Sequence, residues 1–231
     1  MKELTILMPC LNEEESLEAC IIKAKTFLER NRINGEILIA DNGSTDSSIE
    51  IALKNKARVI NVKEKGYGSA LREGTKEAKG KYIIMGDSDD TYDFLNLEKF
   101  YYNLQEGYDL VMGNRFSGKI EKGSMPILNK YIGNPFLSFV AKKLFPCGVN
   151  DFHCGLRGYN RERILKLNLE STGMEYASEM VVMCYKNGYK IKEIPTTLSK
   201  GKRTGKPHLR PIRDSIRHLK ILFKNLNIYN A

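Results

Sequence analysis

No run of this chain approaches the ~18 uncharged apolar residues that a membrane-spanning helix requires. A spanning segment within these residues is therefore not expected. The opening residues, MKELTILMPC, carry Glu3 and no long apolar core, which argues against a secretory leader. Cysteine is sparse: Cys10, Cys20, Cys147, Cys154 and Cys184 fall at irregular spacings with no Cys-x-x-Cys pair. Reduced thiols and a cytoplasmic location are the expectation. The same spacing leaves His153, Cys154 and Cys147 without the pairing that a zinc site needs. No Gly-x-Ser-x-Gly elbow and no Walker Gly-Lys-Ser/Thr is present. Gly66-Tyr67-Gly68 with Gly74 lacks a third glycine at dinucleotide spacing, and it follows the third predicted strand, not the first.

The chain has 231 residues, 42% of them hydrophobic and 28% charged, and a net charge of +9. That length buries a sizeable core without disulfides. The charge is concentrated. Between Lys200 and Lys224 stand nine basic residues against one acid, Asp214, so the first 199 residues are close to neutral. A basic end on a neutral body points to phosphate, a membrane surface or nucleic acid; a solvated helix face is the alternative.

Leu4–Met8 reads as a buried strand, with Asn12 placed to cap the helix after it and Glu13, Glu14 and Glu15 in its first turn. Strands at Glu36–Ala40, around Arg58–Val62 and at Lys81–Met85 alternate with helices at Asp46–Lys54 and Gly66–Ala78. This alternation, up to about residue 115, predicts an α/β fold with a mainly parallel sheet and helices on both faces. Beyond it follow an amphipathic stretch (Leu128–Phe145) broken at Gly133-Asn134-Pro135, a turn-rich stretch (Phe145–Tyr159), a helix (Glu175–Lys186), a strand (Lys190–Ile194) and the basic tail. The amphipathic stretch fits either a core-facing helix or an interfacial segment with lysines toward headgroups.

In a doubly wound sheet, ligands bind beyond the carboxyl ends of the strands. Three such ends carry Pro9-Cys10-Leu11-Asn12-Glu13, Asp41-Asn42-Gly43-Ser44 and Asp87-Ser88-Asp89-Asp90. Each alone is ordinary turn chemistry. Together they make one acidic crevice, and the Asp-x-Asp spacing of Asp87 and Asp89 suits Mg²⁺ or Mn²⁺ with positions left open for phosphate oxygens.

The segments PCLNEEESL, ADNGSTDSS, GYGSALREG and GDSDDTYDF, in that order, resemble family-2 glycosyltransferases of GT-A fold. MGNRF, YIGNPFLS, DFHCGLRGYNR, GMEYASEM and EIPTTLSKGKRTGKPHLR resemble the polyprenyl-phosphate branch, which includes dolichol-phosphate mannose synthases. The resemblance spans about residues 4–220. It implies one domain, residues 1–231: a nucleotide-sugar half (1–115), an acceptor half (116–210) and a basic C-terminal helix or tail (211–231).

It further implies that Pro9, Leu11, Asn12 and Glu13 shape the nucleotide pocket and that Asp41 meets the base. Gly68, Arg72 and Ser88 would lie near the nucleotide. Asp87 and Asp89 would hold the metal and face the donor diphosphate. Arg115, Arg157 and Arg203 would surround the acceptor phosphate. Many relatives carry Gln where this chain has Thr91, and a second Asp where it has Asn42. The implied reaction is metal-dependent, inverting transfer of a sugar from a UDP- or GDP-sugar to a polyprenyl phosphate at the cytoplasmic face of an anionic membrane. Relatives often continue into transmembrane helices, so a peripheral enzyme and one continued by such helices both stay open at Ala231. A phosphate acceptor, already ionised near neutral pH, needs positioning arginines more than a base. If a base acts, Asp90 and Asp151 are the candidates. The Lys200–Arg210 segment, punctuated by Gly and Pro, could close as a lid. A soluble family-2 enzyme with a hydroxyl acceptor is the second reading. A nucleic-acid-binding protein is the third, but it leaves the acidic crevice unexplained and finds no RNA motif, so no nucleic-acid partner is expected.

Overall fold

A computed structural model describes residues 2–126, 131, 133–202 and 210–226. Its centre is the strand β1 (Lys2–Cys10), paired in parallel with β2 (Gly35–Asp41) on one side and β4 (Gly80–Met85) on the other. β3 (Arg58–Asn61) extends the β2 edge in parallel. Beyond β4 lies β6 (Arg157–Asn160), antiparallel to both β4 and β5 (Leu110–Asn114). β7 (Ile191–Pro195) pairs in parallel with β5, giving the order β3-β2-β1-β4-β6-β5-β7. The expected mainly parallel α/β sheet is thus present, with one reversed strand inside it.

The central strands are apolar on both faces because both faces are covered. Leu4, Ile6 and Met8 of β1 point into one core layer with Ile37, Ile39 and Ile84, while Leu7 points into the other with Leu38 and Ile83. Helices α1 (Leu17–Arg30), α2 (Ser48–Lys54) and α4 (Glu98–Gln105) cover the first layer. Helices α3 (Tyr67–Glu77), α5 (Asn134–Leu144), α6 (Arg161–Lys166), α7 (Tyr176–Lys186) and α8 (Pro211–Leu226) cover the second. The chain leaves the β3 edge and returns across the sheet to β4. Strand order therefore reverses between β1 and β4, and that opens a crevice at their carboxyl ends.

Two expectations need correction. Asn12 does not cap α1. Its φ is +56°, and its side-chain Oδ1 accepts from the Thr45 amide at 2.8 Å, so α1 starts only at Leu17. At Gly133-Asn134-Pro135 the π-helical residues 131 and 133 give way to α5, which starts at Asn134 with proline in its first turn, where it forfeits no intrahelical bond. The turn-rich stretch contains β6, whose four residues are too few to show a period. The start of the amphipathic stretch, at Leu128, lies outside the described residues. Among the described residues, no helix is long and apolar enough to cross a membrane.

Candidate active site

Two loops meet at the end of β1. The Asn12 amide donates to Ser44 Oγ at 2.9 Å, the Glu13 amide to Ser48 Oγ at 2.8 Å and the Ser47 amide to Glu14 Oε2 at 3.0 Å. A third loop, after β4, is stitched to them. Ser88 Oγ donates to the Pro9 carbonyl at 2.7 Å, and Ser16 Oγ donates to the Ser88 carbonyl at 2.8 Å. Ser88 is thereby buried, and Asp87 and Asp89 on either side of it face one cavity of about 350 Å³. Pro9, Leu11, Glu13, Asn42 and Arg115 line the same cavity.

Both aspartates are held. Asp87 Oδ1 accepts from the Tyr67 hydroxyl at 2.8 Å. A Cβ on Gly155 would come within 2.6 Å of Asp87 Oδ2, so only glycine lets that strand end lie beside the carboxylate. Desolvation, and then the charge of Asp89, push the Asp87 carboxyl up to about 6. Asp89 Oδ1 accepts from the Thr91 hydroxyl at 2.6 Å and the Thr91 amide at 3.2 Å. Thr91 thus orients Asp89. Among the described residues no cluster of three His, Cys, Asp or Glu forms. Two fixed carboxylates at an open cavity are the donor set that Mg²⁺ or Mn²⁺ takes when diphosphate oxygens and water complete its shell.

Arg115, which also lines the cavity, is gripped by Asp151. Nε donates to Oδ2 at 2.7 Å, Nη2 to Oδ1 at 2.8 Å, and the Arg115 amide to Oδ2 at 3.0 Å. Burial opposes the charge on this guanidinium, but Tyr92 and Asp151 outweigh it and raise its pKa above the ordinary arginine value. The fork leaves Nη1 without a hydrogen-bond acceptor among the described residues, on a guanidinium that lines the cavity. Asp151 is fully buried in this pair and is no general base. Asp90, also buried, is paired with Lys23 at 2.6 Å and Lys202 at 3.0 Å. The described start of the basic segment is docked here too: the Lys202 amide donates to the Asp89 carbonyl at 3.2 Å.

Several of the expected ligand residues have partners in the scaffold. Arg157 is wholly buried. Its guanidinium donates to the carbonyls of Cys154 (2.9 Å), Ala177 (2.6 Å) and Phe152 (2.8 Å), so it organises the 152–157 turn. Asp41 accepts from the amides of Gly43 (2.9 Å) and Ser44 (3.2 Å), and the cavity wall at this loop is Asn42. Asn42 in turn ties its loop to the next, donating to the Glu64 carbonyl at 2.8 Å and accepting from the Gly66 amide at 2.7 Å. Arg72 pairs with Glu64 and donates to the Glu170 carbonyl at 2.9 Å. At Gly68 a Cβ would lie 2.9 Å from the Gly173 carbonyl, so this glycine serves close packing. Arg203 lies outside the described residues.

The sequence reading missed Tyr67 and Tyr92. The Tyr92 hydroxyl accepts from the Gly155 amide at 2.8 Å and so fixes the turn beside Asp87. It also missed further lining residues: Met125, Leu137, Met174 and Leu198, with Asp214 and His218 of α8. The basic C-terminal segment therefore contributes a helix that closes the cavity, with Asp214, His218 and Leu222 buried.

The comparisons with known proteins agree with this geometry. The family model described as glycosyl transferase family 2 matches residues 5–167. The low-salt glycan biosynthesis hexosyltransferase Agl6 of Haloferax volcanii is 40% identical over 223 residues, covering 96% of this chain and 53% of the relative. This chain thus spans about half the length of that relative. A dolichyl-phosphate hexose transferase of the same organism is 31% identical, covering 84% of this chain and 81% of the relative. Among solved structures, a Mycobacterium tuberculosis glucosyl-3-phosphoglycerate synthase in complex with Mn²⁺, UDP-glucose and phosphoglyceric acid superposes with a TM-score of 0.74. It is 20% identical and covers 98% of this chain and 80% of that one, a likeness of fold. The chain belongs to glycosyl transferase family 2 and has the GT-A fold.

Proposed function

We propose that this protein transfers a hexose from a UDP- or GDP-hexose to a polyprenyl phosphate, with inversion at the anomeric carbon. The observation that carries this reading is the composition of the cavity at the ends of β1 and β4. It combines the carboxylates of Asp87 and Asp89, the Arg115 side chain, and the apolar side chains of Met125, Leu137, Met174 and Leu198. A nucleoside diphosphate with its cation suits the first part, a phosphate the second and a prenyl chain the third. Mg²⁺ or Mn²⁺, held by Asp87 and Asp89, supplies charge neutralisation for the departing diphosphate.

The acceptor phosphate oxygen attacks the anomeric carbon. The bond from that carbon to the β-phosphate oxygen breaks, and the nucleoside diphosphate leaves with the electron pair. The second pKa of a phosphate monoester is ~6, so no proton need be removed first. Arg115, fixed by Asp151, orients this nucleophile through charge-assisted hydrogen bonds. Arg203 is assigned the same task. A hydroxyl acceptor would require a base, and the carboxylates considered for that role, Asp90 and Asp151, are both committed to cations.

The surface beside the cavity supports a lipid acceptor. Leu137 of α5 lines the cavity, while Phe136 and Phe139 on the same helix are 57% and 60% exposed and Tyr131 before it is 68% exposed. Lys142 and Lys143 follow in its last turn. This is the composition of a segment resting on an anionic bilayer, where each basic residue adds ~1 kcal/mol. We assign the enzyme to the cytoplasmic membrane face as a peripheral protein.

The test is a thermal-shift panel of UDP- and GDP-hexoses with and without Mn²⁺, followed by flotation with anionic vesicles. Metal-dependent stabilisation by one donor and co-flotation that Phe136→Ser/Phe139→Ser weakens are expected. No stabilisation by any donor would refute the donor site, and flotation unaffected by the substitutions would refute the membrane face.

A further inference from the structure

We propose that residues 199–202 form a strap that positions the metal-holding turn, with Asp90 and Lys202 as its positioning residues; this rests on the reading that Asp87 and Asp89 hold the cation. The strap meets that turn on both sides of Asp90. The Lys202 amide donates to the Asp89 carbonyl at 3.2 Å, and the Ser199 amide donates to the Thr91 carbonyl at 2.9 Å. Between them Gly201 lies so close that a Cβ there would stand 2.9 Å from the Asp89 carbonyl oxygen and 3.0 Å from Thr91 Cγ2. The hydroxyl of that same threonine donates to Asp89 Oδ1 at 2.6 Å. A shift of the strap is therefore passed to the group that orients the Asp89 carboxylate.

Asp90 locks the strap to the turn. Its backbone lies in the left-handed region, with φ +62°, which a residue other than glycine keeps only where its surroundings over-determine it. Its carboxylate is buried and bridges two elements: Oδ1 is 2.6 Å from Lys23 Nζ of α1, and Oδ2 is 3.0 Å from Lys202 Nζ. The other side of the strap is tied to residues 119–121. The Leu198 amide donates to the Lys119 carbonyl at 2.8 Å, the Glu121 amide to the Leu198 carbonyl at 3.0 Å, and the Lys200 amide to Glu121 Oε2 at 3.2 Å. The turn is thus held between α1 and a segment anchored elsewhere in the fold.

Lys202 acts on a cation at Asp89 in two ways of opposite sign. Its ammonium, paired with the residue next to Asp89, repels a second cation, so on Coulomb grounds alone its removal tightens metal binding. Holding a ligand in its binding geometry works the other way, and loss of such an outer contact typically weakens metal binding by about 10–100-fold. The Lys202 side chain is 56% exposed, so water and salt screen its charge. The strap's contacts with Asp89 and Thr91 are not screened, and positioning outweighs repulsion.

The test uses Lys202→Met, Lys202→Arg and Gly201→Val in the full chain. Mn²⁺ affinity is measured by electron paramagnetic resonance with saturating UDP or GDP, and hydrogen exchange is followed in the metal-free protein. Lys202→Met and Gly201→Val should each weaken Mn²⁺ binding about tenfold. Lys202→Arg, which keeps the ion pair, should weaken it by less than about threefold. The Tm of Lys202→Met should stay within about 2 °C of wild type, because an ion pair with a half-exposed partner adds little stability. In Lys202→Met and Gly201→Val exchange should quicken at residues 89–91 as well as at 199–202. Lys202→Met carries the test if Gly201→Val does not fold. Unchanged or tighter Mn²⁺ binding in Lys202→Met, or faster exchange confined to 199–202, would overturn the strap and leave the metal reading intact through the wild type's own Mn²⁺ binding. A wild type that binds no Mn²⁺ with either nucleotide would overturn the metal reading itself, and this inference with it.

Discussion

Asp151→Asn tests whether Arg115 is held by its partner or merely adjacent to it. The carboxylate is fully buried, and the facing arginine side chain is 9% exposed. Both Asp151 oxygens are in use, accepting from Arg115 Nε, Nη2 and the backbone amide at 2.7–3.0 Å. A carboxamide keeps one acceptor oxygen and turns an amino group toward a guanidinium nitrogen. One arm of the fork is lost, and Arg115 stays buried and charged with no counter-ion. Breaking a buried pair in this way costs about 3–5 kcal/mol. In a chain of this size each kcal/mol lowers Tm by roughly 2–4 °C, so calorimetry should show a fall of about 6–20 °C. Removing both partners in Arg115→Met/Asp151→Asn should recover much of that loss, because the orphaned charge goes with it. Transfer should still fail in the double variant, since the guanidinium assigned to the acceptor is gone. A Tm for Asp151→Asn within about 2 °C of wild type, or transfer surviving in the double variant, would refute the reasoning.

Asp89→Asn should abolish metal-dependent nucleotide binding and turnover with an unchanged Tm; calorimetry with UDP and GDP plus Mn²⁺ checks this. Asp41→Ala should weaken binding of the nucleoside diphosphate equally for every attached sugar, because it loosens the loop that carries Asn42, and it should cost about 1–3 kcal/mol of stability through the amides it orphans. His218, pushed down to about 4 by burial, titrates below its unfolded value. Its contribution is present above pH ~6.5 and is lost as pH falls toward 4. Urea melts of wild type and His218→Gln should therefore converge over that interval, by up to roughly 3 kcal/mol.

How far the sequence speaks depends on what each residue's neighbours do. Ile37, Leu38 and Ile39 are buried alternately in the two core layers, so β2 reads as an unbroken apolar run. Arg157 carries no such signal. In sequence it is one more arginine among arginines, and only the turn it closes, through the Cys154, Phe152 and Ala177 carbonyls, reveals a structural post. The Asp87–Asp89 pair is legible because its spacing is local. The Arg115–Asp151 fork, 36 residues apart, and the Tyr67–Asp87 bond, 20 apart, depend on how β4, β5 and α3 are brought together.

The central claim is that phosphate, not hydroxyl, is the nucleophile presented by Arg115. The direct measurement is transfer of labelled hexose by the wild-type enzyme, with Mn²⁺, to a polyprenyl phosphate and to the matching polyprenol. The account predicts a labelled, acid-labile lipid phosphate of inverted anomeric configuration, formed from the phosphate alone. Equal or greater transfer to the polyprenol would contradict it.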